Sequence, residues 1–142
     1  MTKGSFYWHF DSLDAFRGEL ARRWAEEGAR RAGEADGSDP EARMLHAMEV
    51  FADRKLRNLT RAMRDWAQND DRARAAIRNA DQARLERVTR AIAGLGFSED
   101  EAEVRAKILY YAGVGFAHVG TLGKRQSARN DLATTWEILT RR

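Results

Sequence analysis

Hydrophobic positions along the chain recur every three or four residues almost throughout. Leu13, Phe16, Leu20 and Trp24 set the period first, in a run that fades near Arg31. Leu45, Met48, Ala52, Leu56, Leu59, Met63 and Trp66 continue it, and Ile77, Leu85, Val88, Ile92 and Leu95 mark a long helix after them. Ile108, Leu109, Ala112, Phe116 and Val119 define another, and Leu132, Thr135, Trp136 and Leu139 the last. Such spacing is that of one apolar stripe on an α-helix. No segment alternates apolar and polar residues strongly enough to predict a strand. The expectation is an all-α helical bundle of about seven helices, counting a short one over residues 2–10.

The punctuation between these runs is chemical. Ser12 is placed to cap the helix that follows, with Asp14 in its first turn favouring the helix dipole. Asp39-Pro40 pairs an N-cap with proline at the first helical position. Asp53-Arg54-Lys55 predicts a bend that splits one long stretch in two, and Asn69-Asp70-Asp71 ends the second half. Gly94-Leu95-Gly96 offers a left-handed stop. Ser98-Glu99-Asp100-Glu101 is a capping box. The polar, glycine-containing linker Gly33–Pro40 is the main boundary, separating a unit over residues 1–33 from a larger one over 38–142.

The 142 residues suit one domain, or one domain with a small attached piece. There is no cysteine, which excludes a disulfide scaffold, a thiolate metal site and a cysteine nucleophile. No apolar run approaches the roughly 18 residues of a membrane span, and no signal peptide opens the sequence, so a cytoplasmic protein without a membrane partner is expected. His9, His46 and His118 lie far apart with no metal-ligand spacing. No phosphate loop, nucleophile elbow or zinc-protease motif occurs. Neither an enzyme nor a cofactor is expected. Gly113, Gly115, Gly120 and Gly123 suit close helix packing rather than a ligand role.

Residues 2–10 carry the most specific signal. Drawn as a helix, they place Phe6 and Phe10 on one face, Gly4, Ser5 and Trp8 opposite, and Tyr7 and His9 on the flanks. Four consecutive rings cannot all face one side of a helix, and a face of this composition suits phosphates and base edges. The alternative is a short amphipathic helix whose rings are all core.

The run Thr2-Lys3-Gly4-Ser5-Phe6-Tyr7-Trp8-His9-Phe10, followed by Ser12-Leu13-Asp14-Ala15-Phe16, resembles the recognition helix and following helix of tetracycline-repressor-type (TetR/AcrR) transcriptional regulators. Arg61-Ala62-Met63-Arg64-Asp65-Trp66-Ala67, Leu95-Gly96-Phe97 and Ile108-Leu109-Tyr110-Tyr111 resemble the C-terminal domain of one branch of that family. The resemblance implies a dimeric repressor whose helix-turn-helix binds operator DNA and whose larger helical domain takes a small apolar or amphipathic effector. It implies Thr2, Lys3, Gly4, Ser5, Tyr7, Trp8 and His9 as the DNA-facing positions. It also implies that Met44, Met48, Phe51, Met63, Trp66 and Tyr110 line the effector cavity, although core packing is the default reading of such a stripe.

The sequence departs from the family in two ways. It begins at the recognition helix, so the two helices that precede it in the family are expected to be missing, through a start codon placed too late or a true truncation. Asp11 and Leu13 stand where the family often has phosphate-binding lysines. Residues 1–35 contain six basic and six acidic side chains, so this end has no basic patch. The rival expectation is a helical dimerisation or ligand-sensing module that does not bind DNA.

A homodimer is expected from two stripes that a chain of 16.2 kDa could not cover by itself. Ile108, Tyr111, Ala112, Gly115 and Val119 form the first, within residues 99–121. Leu132, Thr135, Trp136 and Leu139 form the second, within residues 127–142, and Trp136 is the expected anchor of a four-helix interface about a twofold axis.

Overall fold

The computed structural model describes residues 10–34, 39–43, 46, 49, 53–120 and 128–141. Among them the chain is helical with no strand. Five helices are α1 Leu13–Gly33, α2 Arg54–Ala67, α3 Asp71–Ala93, α4 Glu99–Val119 and α5 Ala128–Thr140. Helical residues at 40–43, 46 and 49 belong to a sixth. This makes six where about seven were expected; the other, over residues 2–10, falls almost wholly outside the described residues.

The helices start where capping chemistry dictates. The Ser12 hydroxyl accepts from the Ala15 amide at 3.0 Å. Asp39 accepts from Ala42 at 2.8 Å, with Pro40 opening the helical turn behind it. Asp53 has extended backbone and its carboxylate accepts from Lys55 and Leu56, so the expected bend is a helix boundary. Asp70 does the same for α3 through the Arg72 and Ala73 amides, and Ser98 does it for α4 through Glu101. Each side chain satisfies an amide that the helix cannot pair by itself. Between α3 and α4 the chain reverses through Gly96 at φ 89°, a conformation that L side chains rarely adopt.

α3 is the spine. It packs against α1, α2 and α4, and α4 in turn carries α5. One core cluster lies at the N-terminal end of α3, where Ala73 and Ile77 meet Ala21 and Trp24 of α1 and Met63 and Ala67 of α2. The second lies at its C-terminal end, where Ile92 meets Ala102, Ala106 and Leu109 of α4 and Trp136 of α5. Alanines at the crossings bring backbones close, and the large side chains Trp24, Met63, Ile92 and Trp136 fill the volume between them. Ile92 is fully buried; removing a side chain of that size from water stabilises by about 2 kcal/mol.

Candidate functional site

All seven residues expected to face DNA, Thr2, Lys3, Gly4, Ser5, Tyr7, Trp8 and His9, lie outside the described residues. Phe10, which ends the motif, is half-buried and meets Phe16 of α1 edge to face, with ring centroids 5.0 Å apart. This ring contact lies beside the Ser12 cap.

Three of the six expected pocket residues, Met44, Met48 and Phe51, also lie outside the described residues. The other three separate. Met63 is 2% exposed at the centre of the first core cluster, and Trp66 packs partly buried against the same cluster. Tyr110 is buried on α4 in a different, polar environment.

That environment is a side-chain cluster linking α2, α3 and α4. Asp81 Oδ1 accepts from the Tyr110 hydroxyl at 2.6 Å and from Arg64 Nη2 at 2.7 Å. Arg64 Nη2 also lies 3.3 Å from the Tyr110 oxygen, and Arg84 Nη1 stands 3.7 Å from the same Asp81 oxygen. Two cations and a phenol thus converge on one carboxylate oxygen. Burial, followed by the bond to Asp81, pushes the Tyr110 hydroxyl up to about 12, because a phenolate here would lose water and face a carboxylate. Burial opposes the charge on Arg64, yet the Asp81 bond and field outweigh it and raise the guanidinium above its ordinary value. The phenol is held as a proton donor and the guanidinium as a cation. The Tyr110 proton and the Arg64 guanidinium are thus engaged with Asp81, and the cluster ties α2, α3 and α4 together.

Sequence reasoning missed Arg64 and Asp81, although a signal was there. Asp81 stands four residues after Ile77 and four before Leu85, on the apolar stripe of α3. A charge in a core register needs a partner. Arg64, beside Met63 on the inward side of α2, is that partner.

The two stripes expected at a dimer interface part company. On α4, Ile108 is 50%, Tyr111 65% and Val119 63% exposed, with Ala112 and Gly115 exposed between them. On α5, Trp136 is 9% exposed inside the chain's own second core, and Leu139 packs partly buried against the same cluster; Thr135 is half-buried. The Leu132 side chain lies outside the description. Of the two stripes, that of α5 thus finds cover for its Trp136 ring within the chain, and that of α4 stays outward. The monomer does cover this ring, because α4 presents Ala102 and Ala106 to it and leaves room.

Electrostatics along α1 are self-contained. Glu19 pairs with Arg22 at 2.6 Å and Arg23 at 2.6 Å, and Glu27 with Arg30 at 2.8 Å and Arg31 at 2.6 Å. Hydrogen bonds from Arg22 and then Arg23 lower the Glu19 carboxyl to about 2, and those from Arg30 and then Arg31 do the same for Glu27. Arg22, Arg23, Arg30 and Arg31 are thus tied to acids three and four residues away. Near the C-terminal end of this helix, His46 Nε2 meets the Arg31 carbonyl oxygen at 2.7 Å. Among the described residues, no group of three or more His, Asp or Glu side chains is arranged to hold a metal ion. Nor is any helix long and apolar enough to cross a membrane.

Comparison with protein-family models, with curated proteins and with solved structures finds no match to this chain.

Proposed function

We propose that the chain is a transcriptional regulator of the tetracycline-repressor type, acting as a repressor in the cytoplasm under the control of a small apolar or amphipathic effector. The observation that carries this reading is the run Gly4-Ser5-Phe6-Tyr7-Trp8-His9-Phe10 set directly before a Ser12-capped helix. The helical architecture supports it, and so does the outward apolar stripe Ile108, Tyr111 and Val119 of α4, which suits pairing with a second copy. In such a dimer two recognition helices meet successive major grooves about 34 Å apart. An effector represses or induces only through its different affinity for the DNA-competent and incompetent geometries.

Fluorescence anisotropy with a duplex from the chain's own promoter region tests the reading, using a scrambled duplex of equal length as reference. Tight, sequence-selective binding supports it, and equal weak binding to both duplexes counts against it.

One observation favours a second reading. Four arginines of α1, Arg22, Arg23, Arg30 and Arg31, pair with Glu19 and Glu27, and phosphate neutralisation supplies most non-specific DNA affinity. A module that pairs with a full-length partner without itself holding DNA fits that balance. It would appear as heterodimer formation in the absence of promoter binding.

A further inference from the structure

Arg84 of α3 reaches from the Asp81 cluster to α1. Its guanidinium carbon lies 5.3 Å from the centroid of the Trp24 ring, and Trp24 is 6% exposed. One turn further along α1 stands Gly28. A Cβ at that position would come within 3.1 Å of Arg84 Nη2, so the bare backbone leaves the corridor in which the guanidinium runs. The other side of the same group faces Asp81 Oδ1 at 3.7 Å. That oxygen already accepts from Arg64 and Tyr110. Two donors and a second cation therefore share one carboxylate oxygen, so the hold on Arg84, an ion pair without a hydrogen bond, depends on the other two. The far end of α1 is fastened separately: Arg72 donates to the Asp14 carbonyl oxygen at 2.9 Å and to its carboxylate at 2.8 Å.

From this geometry we infer that Arg84 is a positioning residue that couples the Asp81–Arg64–Tyr110 cluster to the seat of α1 at Trp24 and Gly28. A change in what Asp81 holds is passed to α1 at that point, while the Arg72–Asp14 contact stays fixed. If Asp81 loses its charge, Arg64 and Arg84 are left as neighbouring cations without a counter-ion. Arg84 then keeps the face of Trp24 alone, an attraction weaker than a close ion pair of low exposure. The coupling itself needs only the residues named. Its regulatory meaning rests on the repressor reading, in which α1 directly follows the DNA-reading segment.

The test is a double-mutant cycle read at Trp24. The full chain is labelled with 5-fluorotryptophan and its fluorine resonances are assigned by Trp→Phe variants. Asp81→Asn is placed in the wild-type and in the Arg84→Met background. In the wild type it is expected to move the Trp24 resonance, leave that of Trp136 in place, and speed amide exchange over residues 20–30 about tenfold. In the Arg84→Met background the same change moves Trp24 far less, and Arg84→Lys restores most of the response. Tyr110→Phe, which removes one donor and leaves the charges, serves the same cycle if Asp81→Asn does not fold. Equal movement of Trp24 in both backgrounds, or no movement in the wild type, overturns the inference. No DNA enters the measurement, so failure to bind promoter duplex sinks the repressor reading and leaves the coupling standing. A chain that binds its promoter but shows no Arg84 dependence loses the coupling alone.

Discussion

The hydroxyl of Tyr110 on α4 donates to Asp81 Oδ1 on α3 at 2.6 Å. The two residues are 29 positions apart in sequence, and their bond joins the middle of the bundle. Tyr110→Phe removes the donor and keeps the ring. It is expected to lower stability by about 2 kcal/mol, within the usual worth of a hydrogen bond to a charged group. Asp81→Ala should cost more, about 3 kcal/mol, because it strands a guanidinium of low exposure. Urea denaturation of the two variants gives the ranking, and a Tyr110→Phe loss equal to that of Asp81→Ala would contradict it.

The same bond sets an alkaline dependence. Tyr110 keeps its proton in the folded chain up to about 12, whereas in the unfolded chain it ionises near the ordinary value of about 10. Its contribution to stability is therefore fully present below pH 10 and is lost as pH climbs from 10 towards 12. Ultraviolet titration should show one of the three tyrosines ionising late, and Tyr110→Phe should remove that late step.

Glu19 and Glu27 supply an opposite, acidic test. Each carboxyl is lowered to about 2 by two arginines, so any contribution it makes is present above its ordinary range and fades as pH falls towards 2. Both groups are half-buried at the surface, within reach of solvent ions, and salt screens such charges. Carbon-detected NMR titration in molar salt should bring both midpoints back towards ordinary glutamate values. Midpoints unmoved by salt would mean that bond geometry, rather than long-range attraction, holds them down.

Asp53 holds two amides of α2 with one carboxylate oxygen. Asp53→Ala should cost about 1 kcal/mol and raise amide exchange over residues 55–57. The change should leave α4 unaffected. A loss spread evenly over the whole chain would mean that the side chain does more than cap.

Trp136 and Tyr111 separate the core from the proposed interface. Trp136 is 9% exposed and Tyr111 65%. Trp136→Ala should cost about 3–5 kcal/mol of fold stability through the cavity it leaves. Tyr111→Ala should leave the melting temperature of dilute protein nearly unchanged and weaken self-association. Sedimentation velocity across a concentration series checks the second expectation, and a stable dimer untouched by Tyr111→Ala removes this face from the interface.

Helix boundaries were legible in the sequence because caps act locally. Ser12, Asp39, Asp53, Asp70 and Ser98 each satisfy amides two or three residues away, so the information and its effect lie in the same short stretch. The left-handed stop was equally local, since Gly96 alone adopts the required φ. The apolar stripes named the inward residues Trp24, Met63, Ile77 and Ile92 for the same reason, period being a property of one helix.

Which inward residues meet each other was decided by the tertiary structure. Leu109 and Ile108 are neighbours on one stripe, yet Leu109 is 6% and Ile108 50% exposed. Trp136 and Tyr111 both read as candidates for a second copy, and α5 folded one of them against its own chain. The register of Asp81 on the stripe of α3 signalled a need for a partner, but only the packing of α2 and α4 brought Arg64 and Tyr110 to it from 17 and 29 positions away. A sequence fixes the face a residue shows on its helix. Burial and ion pairing depend on the helix that lies opposite, and that is settled only when the helices pack.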